Sequence, residues 1–126
     1  MELKGYFKNG KIRIWKENFA IIKSKKSLPF AFAVIKDKNE TTVIIDQSKI
    51  KNNKNIIEIS KDWKILTFDM ILPFGLVGFI AKISKILAEE GISIVVISSY
   101  STDHILIKNK NLKRTISKLK SLGFRL

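Results

Sequence analysis

The sequence predicts a mixed α+β fold of two small units, with antiparallel sheets and helices on one face. Three observations carry this. Apolar residues recur at helical spacing around Leu76–Leu87 and again around Leu112–Leu122. Short β-branched or alternating segments fill most of the remaining chain. The second half runs strand, helix, strand, strand, helix and a short last strand, whereas the first half reads as strands alone.

In the first half, Leu3–Lys8 and Lys11–Trp15 flank Asn9-Gly10, a two-residue hairpin signal. Asn18–Lys25 carries Phe19, Ala20, Ile21 and Ile22 and reads as a further strand. A polar loop, Ser24–Ser27, and Pro29 precede the apolar strand Phe32–Lys36. Asp37–Glu40 turns the chain into the β-branched Thr41–Ile45, giving a second hairpin. The Lys- and Asn-rich stretch Gln47–Asn55 is the best internal boundary, with a short strand Ile56–Ser60 after it. Two divisions follow: 1–62, with N-terminal strands added to a degenerate unit at 17–62, and 63–126, the regular unit.

In the second half, Trp63–Met70 alternates as a strand and Ile71–Gly75 forms a loop. Leu76, Phe79, Ile80, Ile83, Ile86 and Leu87 mark a helix over Leu76–Glu90, with Gly91 as its stop. Ile92–Ser98 is a buried strand, Ser99–Thr102 a turn, and Asp103–Lys108 the return strand. Asn109 or Asn111 is placed to cap a second helix, which stops at Gly123 before an edge strand Phe124–Leu126. This β-α-β-β-α-β order is that of a ferredoxin-like sheet. The strands either side of the first helix are expected as parallel central neighbours. The 73–75 loop should then meet the 98–103 turn, beside helix amides that favour an anion.

Composition narrows the chemistry. With 126 residues, 45% hydrophobic and 28% charged, the chain is too apolar to be disordered. It has no Cys and one His, His104, which removes disulfides, thiolate chemistry and a His-based metal cage. The longest apolar run, Met70–Ala81, is broken by Pro73, Gly75 and Gly78 and is too short for a bilayer. The N-terminus lacks a signal-peptide pattern, so a cytoplasmic protein without membrane contact is expected.

A net charge of +13 invites a nucleic-acid reading. Against it, only Arg13, Arg114 and Arg125 are Arg, and base and phosphate recognition favours Arg. The lysines are scattered, with clusters at Lys23, Lys25, Lys26 and at Lys49, Lys51, Lys54. The strand Asp103–Ile107 also lacks the sheet-face aromatics of RNA-binding relatives of this fold. Nucleic acid is therefore not expected as a partner.

Three features point to a small-molecule site. Asp69 precedes a loop in which Gly75 and Gly78 permit close backbone approach. The stretch Ser98-Ser99-Tyr100-Ser101-Thr102-Asp103 places hydroxyls and an acid between two apolar strands. Asp103 is suited to pairing with an amine. No nucleophile–base arrangement, phosphate loop or metal set accompanies them, so neither an enzyme nor a cofactor is expected.

The segment WKILTFDMILPFGLVGFIAKISKILAEEGISIVVISSYSTDHILIK, residues 63–108, resembles the second half of small ACT-domain proteins. The likeness is to the stand-alone double-ACT family related to the CASTOR arginine sensors and to the regulatory domains of aspartate kinases. The resemblance implies a degenerate ACT unit in the first half and a free amino acid or related amine as ligand. It implies ligand contacts from Asp69, Ile71, Leu72, Pro73, Phe74, Gly75, Leu76, Val77 and Gly78. Facing them it implies Ile97, Ser98, Ser99, Tyr100, Thr102 and Asp103. Val77 stands where relatives often carry Thr, and His104 where they often carry an aromatic residue. Expected partners are the ligand, a second copy in a homodimer, and a regulated protein. A ligand-free dimerisation scaffold is the alternative, followed by a basic nucleic-acid-binding module. His104 is expected to contribute little.

Overall fold

The computed structural model describes residues 2–126. It is α+β, with strands β1 (Ile12–Ile14), β2 (Phe19–Ser24), β3 (Ala31–Lys36), β4 (Thr41–Asp46), β5 (Ile56–Phe68), β6 (Val95–Ser98) and β7 (Asp103–Lys108). The helices are α1 (Leu3–Asn9), α2 (Phe79–Glu89) and α3 (Leu112–Ser121). Two compact units form, one of Lys16–Trp63 and one joining the stretch that ends at Trp15 to Lys64–Leu126.

The Lys16–Trp63 unit is an antiparallel sheet in the order β3, β4, β2 and the first part of β5. One face buries Ala20, Ile22, Val43 and Ile45 with Leu28. Among the described residues this unit contains no α-helix. The connection 25–30 and the stretch 47–55, which holds a single 3-10 turn at Gln47–Lys49, stand where the regular unit has helices. This is the degenerate ferredoxin-like unit. Its last strand departs from expectation, because Ile56–Phe68 is one strand rather than two. Asp62 sits at φ 67°, and the pairing shifts there from Phe19↔Trp63 to Ile21↔Ser60. Gln47 holds this bulge, accepting from the Asp62 amide at 2.9 Å and donating to its carboxylate at 3.0 Å.

In the regular unit the order is β1, the end of β5, β7 and β6. Leu66 and Phe68 of β5 and Ile105 and Ile107 of β7 share one face by alternation. Phe7 of α1, Phe79, Ile83 and Leu87 of α2, and Leu119 of α3 join them in a single core. All three helices therefore lie on the same side of the sheet. The expected central pairing is corrected: β6 pairs antiparallel with β7, and β7 is the neighbour of β5. A hairpin needs only a tight turn, so β6 and β7 pair locally and β7 carries the pair to β5.

The N-terminal hairpin is also corrected. Leu3–Asn9 is a helix, and Ile12–Ile14 pairs with Leu66–Phe68 of β5 instead of with residues 3–8. The extra strand thus joins the regular unit, not the first one. A seven-residue helix without a side-chain cap is marginal alone. Tertiary contact stabilises it: the Phe7 ring stacks on Phe79 at 5.5 Å and meets Phe124 edge-on at 5.7 Å. Gly10 is extended, at φ −74° and ψ 152°, so Asn9-Gly10 makes no hairpin turn. A Cβ there would lie 2.4 Å from the Tyr6 carbonyl oxygen and 2.6 Å from the Phe124 ring.

Smaller differences follow from local bonding. Instead of a last edge strand, the C-terminus forms an isolated parallel bridge between Lys11 and Arg125, because β1 already occupies the flank of β5. The strand after α2 is shortened to Val95–Ser98, since the Ile92 amide donates back to the Leu87 carbonyl. Neither Asn109 nor Asn111 caps α3 through its side chain; the Asn111 side chain accepts from Arg114 at 2.9 Å instead.

Candidate functional site

The chain leaves β5 at Phe68 and does not enter α2 until Phe79, three residues later than the apolar period implies. The delay has two causes. The Leu76 amide donates to the Pro73 carbonyl, closing a turn at 3.0 Å, and Gly78 holds φ 93°, a left-handed conformation that a Cβ would penalise. Gly78 therefore serves the entry to the helix. Gly75 has no such need, because a Cβ there would meet nothing within 4 Å.

The β6–β7 turn is tied to this loop. The Leu72 amide donates to the Ser101 carbonyl at 2.7 Å, and the Thr102 hydroxyl donates to the Phe68 carbonyl. The Ser99 amide closes the turn onto the Thr102 carbonyl at 2.9 Å. Between loop and turn lies a cavity of about 170 Å³. Leu72, Pro73, Phe74, Leu76, Ser98, Ser99, Tyr100, Thr102 and Asp103 line it, together with Phe79 of α2, which is not among the expected site residues. It is smaller than the roughly 300–1,000 Å³ typical of drug-sized ligands, and so suits something of metabolite size.

Six residues of the expected set are elsewhere. Asp69 is turned to Arg13, with a carboxylate–guanidinium distance of 3.8 Å. Ile71 and Val77 point to solvent, Gly75 and Gly78 are backbone positions of the loop, and Ile97 is part-buried within β6. At the cavity mouth the exposed rings of Phe74 and Tyr100 meet edge to face at 4.9 Å. Asp103 accepts a hydrogen bond from the Ser98 hydroxyl at 2.5 Å. The α2 N-terminus carries no side-chain cap, and its first intrahelical bond is from the Lys82 amide to the Gly78 carbonyl. The amides of Phe79, Ile80 and Ala81 thus lack intrahelical acceptors.

His104, expected to contribute little, is bonded at both ring nitrogens. On the sheet face opposite the helices, the Trp15 indole N–H donates to the Thr67 hydroxyl at 2.8 Å. That hydroxyl lies 2.8 Å from His104 Nδ1, and His104 Nε2 lies 2.7 Å from the Ser99 hydroxyl. With the proton on Nε2, every hydrogen of this chain has an acceptor. Thr67 donates to Nδ1, Nε2 donates to Ser99, and Ser99 donates to the Thr102 carbonyl at 3.4 Å. The buried Thr67 and the part-buried Trp15 are thereby connected to the turn that walls the cavity. Its only advance signal was a His among apolar residues directly after the hydroxyl-rich turn.

Burial holds the His104 pKa below the ordinary value; Asp103 raises it in part, and Arg13 adds to the lowering. The unfolded chain then binds the proton more readily than the folded one below about pH 6.5. The stability contributed by neutral His104 is present in full above that pH and is lost as pH falls through it. Asp37 and Asp46, held low by hydrogen bonds from Asn39 and Ser48 respectively, lose their contribution only at more acidic pH. Urea unfolding at pH 7.5 and pH 5.0 should therefore show a loss on acidification that is reduced in His104→Gln. Equal losses in the two proteins would separate His104 from this effect.

An ACT domain family model matches residues 58–121, about half of the chain. A solved structure from Agobacterium tumefaciens is similar at a TM-score of 0.79 and 20% identity, covering 93% of this chain and 91% of that one. A Vibrio cholerae protein, described as of unknown function and a possible transport protein, is similar at 0.75 and 17%, covering 97% and 96%. The ligand-free regulatory subunit of aspartate kinase from Thermus thermophilus is similar at 0.65 and 11%, covering 93% and 97%. No curated protein matches the sequence. At these identities the structural likeness is one of fold. The family match over 58–121, with the strand–helix–strand–strand–helix unit it falls on, shows that this chain belongs to the ACT domain family.

Proposed function

We propose that this protein is a non-enzymatic regulatory module that binds a free amino acid or related amine and acts through ligand-linked association. The observation that carries this is the composition of the cavity between the 72–76 loop and the 98–103 turn. An acid, Asp103, and the hydroxyls of Ser98, Ser99 and Thr102 face apolar Leu72, Leu76 and Phe79. The ligand ammonium or a basic side chain pairs with Asp103, with Asp69 as the second acid. The ligand carboxylate takes the first-turn amides of α2, whose partial positive charge suits an anion. Gly75, which has open space at its Cα, leaves room for that approach. In this reading residues 16–63 are the degenerate ACT unit. The finer kinship, to stand-alone double-ACT arginine sensors, belongs to the same proposal, as do a regulated protein partner and a cytoplasmic setting.

A melting-temperature screen against the free amino acids tests it. A ligand that binds only the folded state adds about 2.7 kcal/mol at a hundredfold excess over Kd. No shift with any amino acid or simple amine at millimolar concentration would discard the sensor reading.

The second reading is a scaffold that associates without ligand. Ile71, Phe74, Val77 and Tyr100, each at least 75% exposed, favour it, since clustered exposed apolar residues mark association surfaces. Both readings expect a homodimer. Light scattering at about 100 μM should give twice the chain mass, because association is driven by concentration. Phe74→Ser with Tyr100→Ser should shift the protein toward monomer. A monomeric parent would remove association from either reading.

A further inference from the structure

The two lysine clusters of the sequence are left unused by the site above, and in the Lys16–Trp63 unit they come together. Ser24 is buried, and its hydroxyl lies 2.7 Å from the Lys26 carbonyl and 3.2 Å from the Asn55 carbonyl. The Lys25 amide also donates to the Asn55 carbonyl, at 2.8 Å. The connection carrying Lys25 and Lys26 is thus fastened to the stretch carrying Lys49, Lys51 and Lys54. Residues 24–30 and 47–55 contain no carboxylate side chain.

Under these connections is a cavity of about 140 Å³, lined by Leu28, Pro29, Phe30, Ile45, Ile50, Asn53 and the two lysines Lys49 and Lys51. Its floor is apolar: Ile45 is 1% exposed and Leu28 is 9% exposed. Phe30 stands beside it in a conformation a phenylalanine rarely adopts. Its φ is 66°, the residue is 78% exposed, and Lys49 Nζ lies 5.8 Å from the ring centroid. Among the described residues neither Lys49 nor Lys51 is in an ion pair. Asp46 exerts some field on Lys49, but its carboxylate is engaged by the Ser48 amide and hydroxyl at 2.9 and 2.8 Å. Phe30 belongs to the Pro29–Phe30 turn that leads into β3, and this turn leaves its exposed side chain at the rim of the apolar hollow.

We infer that this cavity is a second ligand site, for a small carboxylate with an aliphatic or aromatic tail. The tail enters the hollow over Leu28, Ile45 and Ile50, with the Phe30 ring as its outer wall. The carboxylate stays at the rim with Lys49 and Lys51. The lysines form no planar fork and the hollow is apolar, which favours such a ligand over a nucleic acid.

The test is a two-dimensional amide NMR titration of the full chain with sodium hexanoate, with hexan-1-ol as the uncharged comparison. Hexanoate should shift the amides of 28–30 and 49–51 saturably in the millimolar range. Hexanol, and hexanoate with the Lys49→Gln/Lys51→Gln protein, should each bind about tenfold more weakly, about threefold per lysine. Phe30→Gly relieves the left-handed strain and should keep the melting temperature while weakening hexanoate binding. Several results would overturn the inference: no saturable shift, equal binding of hexanol, unchanged affinity in the double variant, or shifts confined to 72–76 and 98–103. Binding to phosphatidylglycerol vesicles without any response to hexanoate would overturn it in favour of a membrane surface.

Discussion

Gly10→Ala is expected to destabilise the folded protein by about 3 kcal/mol, the upper range for overpacking a filled site. The new methyl would sit 2.4 Å from the Tyr6 carbonyl oxygen, 2.5 Å from the Met70 Cε and 2.6 Å from the Phe124 ring. The Met70 side chain can move; the Tyr6 oxygen is backbone of α1 and cannot move without displacing the helix. Gly10 also accepts from the Arg125 amide at 3.0 Å, so a shift there disturbs the contact with the C-terminus. The loss is bounded by the alternative of releasing α1, which exposes Phe7 and uncovers Phe79 and Phe124. For a domain of this size the fall in Tm is roughly 10 °C or more. Gly75→Ala is the matched control, because its Cβ meets nothing within 4 Å. It should change stability by no more than about 1 kcal/mol. Urea unfolding of the two variants side by side decides the matter: a Gly10→Ala loss below that of the control would mean α1 is not packed against Gly10.

Asp103→Ala is expected to weaken amino-acid binding about ten- to a hundredfold, the weight of a charge-assisted hydrogen bond of about 1.5–3 kcal/mol. The fold should survive, because Asp103 is only part-buried and its one described side-chain partner is the Ser98 hydroxyl. Asp103→Asn separates charge from hydrogen bonding. It keeps an acceptor for Ser98 and should still lose most of the affinity for an amine. Asp69→Asn should cost less, since Asp69 is already paired with Arg13 at 3.8 Å. Calorimetric titration with the amino acid that gives the largest melting shift measures all of these. Unchanged affinity in Asp103→Ala would move the ammonium contact to another group.

His104 shows how a side chain's neighbours in space can outweigh its neighbours in sequence. Read along the chain it is one polar residue in an alternating strand, with nothing to give it a role. Its partner Thr67 is 37 positions away, and Trp15, which bonds to Thr67, is 89 positions away. They meet it only because β7 lies beside β5 and the 15–16 end of the N-terminal segment reaches Thr67. Ser99, five positions back, comes within 2.7 Å because the turn folds over.

By itself the sequence determined what local periodicity and composition can determine. These are the α+β class, the apolar faces of α2 and α3, the strands β2, β3, β4 and β7, the absence of cysteine chemistry, and the kinship of residues 63–108. The kinship rests on a resemblance over the whole segment; each of the others follows from spacing or residue type within a few turns of chain. Tertiary structure alone decided that Leu3–Asn9 is a helix and that Ile12–Ile14 pairs with β5. It also decided that β7, not β6, is the neighbour of β5, and that Asp69 faces Arg13 rather than the cavity. The reason is energetic. Asn-Gly and a short apolar alternation bias the backbone by only about 1 kcal/mol. Burying Phe7 among Phe79 and Phe124 is worth more, about 1.5–3 kcal/mol, and that burial exists only once distant strands have been brought together.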